Sequence, residues 1–145
     1  MDRRAFLRSA GTVVAAAALA GCGESSGDTG DYDVGMTARK FEPSTIEVPP
    51  GTTVVWQNTS SHAHTVTAYE DSIPDEADYW ATGGFDSQSA AESGWLAGNE
   101  GAVYQDETFE RTFETLGTHS YFCVPHEAGG MVGAVVVTEE AATDA

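Results

Sequence analysis

From Val34 onward, apolar residues recur at every second position in short runs, each closed by turn-forming residues. That is the period of half-buried strands. Val34 to Phe41 reads as a first strand, and Phe41 to Val48 places Ile46 and Val48 on one face of a second. Pro49-Pro50-Gly51 is a turn, and Thr52 to Asn58 is a third strand with Val54 and Trp56 inward. His64 to Ala68 alternates as a fourth, and Phe109 to Phe113 sets two aromatics on one face of a fifth. Leu116-Gly117-Thr118 turns into His119 to Cys123. The last run, Met131 to Thr138, is Val-rich enough to be expected buried on both sides. No stretch has a convincing helical period, so the pattern predicts an all-β sandwich.

Residues 69–107 break this rhythm. They hold Tyr79, Trp80, Phe85, Trp95 and Tyr104 among many acids and small residues. Long loops in compact domains are either functional or disordered, and this many aromatics argues against disorder. The expectation is a loop packed over one sheet edge, with a flap beside the functional site as the alternative. The segment has no Cys, His or Met and so offers no evident soft ligand.

The ends differ in composition. Arg3-Arg4 opens a charged region followed by the apolar run Val13 to Ala20, too short to span a bilayer. Residues 1–21 therefore read as a twin-arginine export signal. Leu19-Ala20-Gly21-Cys22 resembles a lipobox, with Cys22 lipidated as the mature N-terminus, so residues 22–33 become a lipidated Cys and a flexible linker. As a coil this linker spans on the order of 18 Å. The domain proper is residues 34–138, and 139–145 is an acidic tail. The two cysteines, Cys22 and Cys123, then have separate tasks and form no disulfide.

The chain has 6 basic and 23 acidic residues, a net charge of −17. Without residues 1–21, 3 basic and 22 acidic residues are left, a net −19. Such a chain repels nucleic acid and bare anionic membrane. The acids are spread from Glu24 to Asp144, which favours general surface acidity compatible with high salt over a docking patch for a basic partner.

The chemistry concentrates in Cys123-Val124-Pro125-His126-Glu127-Ala128-Gly129-Gly130-Met131. A thiolate, an imidazole and a thioether in one loop form a soft set suited to copper. A Cys/His₂ site with a weak axial Met is the electron-transfer copper arrangement, and it needs one more His. The upstream candidates are His62 and His64 in Asn58 to Val66. They share strand parity, so alternation does not separate them. Asn58-Thr59-Ser60 also matches a glycosylation sequon, with an Asn ending a strand as the plainer reading.

With these residues in view, 34–138 resembles a single-domain cupredoxin, plastocyanin-like and nearest in pattern to the halocyanins of salt-loving archaea. The resemblance rests on Cys-x₂-His-x₄-Met, preceded by Gly117 to Phe122 and followed by Val132 to Val137. It implies a Greek-key β-sandwich with an expanded loop at about 69–107. It also implies one type 1 copper ion held by His64, Cys123, His126 and Met131, because His64-Thr65-Val66 matches the family's His-x-Val. His62 is then a surface His and His119 a structural one. His126 would be the electron exit, and Gly129-Gly130 would let the loop fold tightly. Many plastocyanin-like proteins carry Asn just after the first His ligand, tying the two ligand loops together; here that position is Thr65.

The expected function is one-electron transfer between redox proteins, such as membrane respiratory complexes or other carriers. The protein would be a monomer tethered to the outer face of the cell membrane, and no enzyme. A copper enzyme of the nitrite-reductase or oxidase type needs more His ligands than His62 and His119 supply. Copper storage or delivery is the alternative, but Met1 and Met36 build no Met-rich cluster. Zinc is a poor occupant, since its structural sites take Cys, His and carboxylate rather than Met.

Overall fold

The computed structural model describes residues 32–143; the expected export signal, Cys22 and most of the linker lie outside the described residues. The strands are β1 (Val34–Met36), β2 (Phe41–Glu42), β3 (Thr45–Val48), β4 (Thr52–Asn58), β5 (Thr67–Ala68), β6 (Thr108–Phe113), β7 (Gly117–Phe122) and β8 (Val132–Val137). They form two four-stranded sheets, β2-β1-β4-β6 and β3-β8-β7-β5. This is the expected β-sandwich.

Its core follows from alternation. In β4, Val54, Trp56 and Asn58 are buried while their neighbours are not. Trp56 stands edge-on to Tyr121 of the opposite sheet at 5.4 Å between ring centroids, and also meets Trp80, Phe109 and Phe113. Phe41 meets Tyr121 edge-on at 4.7 Å. Such pairs contribute about 0.5–1.5 kcal/mol each beyond their buried area. Tyr121 fits because its cross-strand partner is Gly133, where a Cβ would come within 2.6 Å of the ring.

Four expectations are corrected. Residues 34–41 form a turn rather than one strand: β1 and β2 pair antiparallel around residues 37–40. In β8 only Val135 and Val137 are buried, while Val132 is 41 % exposed, because the outer face of that sheet is uncovered there. Residues 64–68 show the converse. Their sequence alternates, yet all five are buried, because later segments cover the second side. Asp33, read as linker, is already fixed to the sandwich: its N–H donates to the Val55 carbonyl and its Oδ2 accepts the Val55 N–H, each at 2.8 Å.

The covering segments come from 69–107. Trp80 to Thr82 runs beside β5: Ala68 N–H donates to Trp80 O, and Thr82 N–H to Val66 O. Val103 exchanges both backbone hydrogen bonds with His64 at 2.7 and 3.1 Å. Between them lies a helix, α1 (Gln88–Gly98), where no helix was expected. Ser87 caps its start and left-handed Asn99 (φ 61°) closes its end. It has no apolar period because only Ala91 and Gly94 are buried, with Leu96 84 % exposed. Glu70 and Gln88 exchange hydrogen bonds at 2.9 and 3.0 Å, pinning the helix start to the turn after β5. The segment covers the sheet edge, as expected, and α1 also touches the turn after Cys123. The acidic tail begins as a short helix, α2 (Glu139–Thr143), against β3. No helix among the described residues is long and apolar enough to cross a membrane.

Candidate metal centre

Cys123 follows directly on β7 at one end of the sandwich, fully buried and leading into the next turn. A 3₁₀ turn, Val124–Gly129, then carries His126 back over it, with Pro125 at the start, where no N–H is required. Gly130 closes the turn at φ 93°, its N–H reaching the carbonyls of His126 and Glu127. Gly129 has open space around it and no left-handed φ, so of the two glycines only Gly130 is conformationally required. Met131 is fully buried and tied by its backbone to both neighbours: Cys123 N–H donates to Met131 O, and Met131 N–H to His126 O.

His64 arrives from the other ligand segment, held by its exchange with Val103. Its Nδ1 lies 3.2 Å from His126 Nδ1 and 3.5 Å from Cys123 Sγ, and His126 Nδ1 lies 3.4 Å from Cys123 Sγ. A triangle with these edges has its centre about 1.9 Å from each corner, near the ~2.0–2.3 Å bonds that first-row divalent ions make to imidazole and thiolate. The residues present fit a metal of this class. His64, Cys123 and His126 form the one such group of three among the described residues.

The protonation states suit metal rather than proton. Burial, and then the neighbouring His126, lower the His64 pKa to about 4. Burial first, with His62 and Arg39 adding repulsion, lowers that of His126. Burial raises the Cys123 thiol to about 11, partly offset by hydrogen bonds from Thr65. Both imidazoles are thus neutral at pH 7, with a thiol that ionises when a cation replaces its proton.

The surroundings fix the orientation of each donor. The Ser60 hydroxyl lies 3.0 Å from His64 Nε2 and donates to Asn58 Oδ1 at 2.8 Å, so it accepts the Nε2–H and leaves Nδ1 bare. Asn58 is fully buried with its amide occupied: Nδ2 donates to the carbonyls of His62 and Val103, and Oδ1 accepts from Ser60. The Asn ends a strand as a brace, which leaves the sequon no access in the folded domain. Thr65 bridges the two ligand segments. Its N–H points at Cys123 Sγ (3.4 Å), and its hydroxyl accepts the Val124 N–H at 2.9 Å.

The other histidines separate as expected. His62 is exposed, 5.9 Å ring to ring from His126, and is not among the three donors. His119 is buried against Phe113, with Nε2 bonded to Thr115 O at 2.8 Å. Ser60 was missed, although Asn-x-Ser before a His is the signature of a side-chain-closed turn. The Tyr69 hydroxyl, which donates to Glu127 at 2.7 Å, carried no sequence signal.

Comparison with known proteins agrees with this geometry. The chain is 34% identical over 108 residues to plastocyanin from Lactuca sativa, spanning 74% of this chain and 94% of that one. It is 29% identical to halocyanin from Natronomonas pharaonis, across 94% of this chain and 98% of that one. In structure it resembles amicyanin from Paracoccus versutus, with a TM-score of 0.52 over 75% of this chain and 83% of that one, at 24% identity. Residues 29–138 match the model of the copper binding proteins of the plastocyanin/azurin type. The chain belongs to that family, and is a plastocyanin-like cupredoxin whose cofactor is copper.

Proposed function

We propose that the chain is a type 1 copper protein in which His64, Cys123 and His126 would hold the metal, with the Met131 thioether as a weaker fourth donor. The closed triangle of three donor atoms, 3.2–3.5 Å apart, is the observation that carries this reading. Copper, when bound, supplies a one-electron Cu(II)/Cu(I) couple. The chain's part is to keep the donors still. Ser60 fixes the tautomer of His64, Thr65 joins the two segments, and burial of Cys123 and Met131 keeps water off the sulfurs. A donor set that barely moves between oxidation states lowers the reorganisation needed for transfer. His126, half-buried, is the edge nearest solvent and the electron exit.

A closed and largely buried site suits a carrier better than a protein that hands over its metal. Cys22 would carry a lipid after export, and residues 23–32 would tether the domain to the outer membrane face while it serves redox partners in turn. The experiment is a redox titration of the copper-loaded protein. An intense blue thiolate-to-copper band should bleach with one electron equivalent of reductant and return on reoxidation. Copper that binds without that band, or leaves on reduction, would favour storage or delivery instead. For the anchor, mass spectrometry of the exported protein should find lipid on Cys22, and Cys22→Ser should release the protein from membranes.

A further inference from the structure

Beyond residue 31 the chain carries three Lys or Arg side chains against nineteen Asp and Glu. Arg111 is engaged internally, half-buried over the rings of Trp80 and Phe113 and donating to Asp78 O. The other two, Arg39 and Lys40, are adjacent and exposed in the turn between β1 and β2. That turn is fixed in shape: Thr37 donates from both N–H and Oγ1 to Lys40 O. Arg39 and Ala38 then line a shallow dent with His62, Pro125, His126 and Gly129. No carboxylate lines it, and Glu127, the one acid of the ligand turn, is held by the Tyr69 hydroxyl. The Arg39 charge is felt at His126.

We propose that this dent is the docking point for a redox protein that presents carboxylates, so that the chain meets its partner through the one exposed basic spot among the described residues rather than through its acidic surface. Charge complementarity carries the assignment. Exposed Arg39, with Lys40 next to it in the chain, borders His126, the ligand nearest solvent, and attracts an approaching carboxylate there in an otherwise acidic domain. The proposal rests on the reading of His126 as the electron exit.

Two arms test it. In the first, the reduced copper-loaded protein is mixed with hexacyanoferrate(III), and one electron leaves the site to reduce Fe(III) to Fe(II). Net charge alone makes this rate rise with salt; the basic dent makes it fall. The Arg39→Gln/Lys40→Gln double variant should slow it about tenfold at low ionic strength and reverse the salt dependence. A wild-type rate that rises with salt overturns the proposal. The second arm does not need copper. Amide chemical shifts of the protein as isolated are followed during titration with hexaglutamate or hexalysine peptide. Hexaglutamate should shift residues 37–40, His62 and 125–130, and hexalysine should not. Unmoved amides with hexaglutamate, or hexalysine bound there, overturn it. If the peptide pattern appears but no blue copper site forms, the electron-carrier reading falls and an acidic partner stands.

Discussion

The hydroxyl of Thr65 accepts the backbone N–H of Val124 at 2.9 Å, and the Thr65 N–H points at the sulfur of Cys123. One residue thereby joins the segment carrying His64 to the turn carrying His126. Thr65→Val keeps the shape but leaves the Val124 N–H without an acceptor beside a buried site, at a cost of about 1–3 kcal/mol. Denaturant unfolding of the metal-free domain should show that loss, and Thr65→Ser should recover most of it. Equal stability of the Val variant would mean that the bridge contributes nothing.

Ser60 controls His64 from the far side of the ring. Ser60→Ala removes the hydroxyl partner of Nε2 and leaves only the Thr37 backbone to hold the ring, so Nδ1 is held bare and aimed less firmly. Copper affinity should fall about 10–100-fold in competition with a chelator, while Ser60→Thr stays near wild type. Unchanged affinity in the Ala variant would show that packing alone orients the ring.

Metal binding should release a countable proton. Between pH 7 and 8 the Cys123 thiol, raised to about 11, holds its proton, and His64, lowered to about 4, holds none. Calorimetric Cu(II) titrations in buffers of different ionisation enthalpy should therefore give about one proton released per copper. Cys123→Ser should release close to none. Two protons released from wild type would mean that an imidazole is protonated before metal arrives.

His119 makes acid destabilising. Burial lowers its pKa, with Arg111 adding to the effect and the Thr115 carbonyl opposing it. As pH falls below about 6.5 the unfolded chain takes up a proton on this ring that the folded chain refuses. The contribution is therefore intact above 6.5 and stability is lost below it. His119→Phe should make the fall in stability of the metal-free domain between pH 7 and pH 5 shallower without abolishing it, because His64 and His126 also resist protonation, as measured by unfolding at each pH. A fall as steep as wild type would place the acid sensitivity elsewhere.

The strands, and most of the residues that the fold brings together at the candidate site, were legible in the sequence because each has a local signal. Val54 and Trp56 alternate, and Cys123, His126 and Met131 lie within one turn. His64 and His62 were not separable by parity, and the resemblance to cupredoxins chose between them. The exchange of hydrogen bonds with Val103 is what places His64 inward. That contact spans thirty-nine residues of sequence and has no local trace. Helix α1 was missed for a related reason. Its stability comes from caps at Ser87 and Asn99 and from Gln88 pairing with Glu70, so no apolar face records it. The burial of Val132 was overestimated because a Val-rich run does not reveal which sheet face is covered.

The most direct test of the donor set is X-ray absorption at the copper edge of the loaded protein. The account predicts one short sulfur neighbour and two imidazole nitrogens, all within roughly 2.0–2.3 Å, with any second sulfur distinctly longer. Loss of the short sulfur in Cys123→Ser, and of one imidazole in His64→Ala but not in His62→Ala, would complete the assignment. A wild-type spectrum with only nitrogen and oxygen neighbours would contradict it, because copper would then sit away from Cys123.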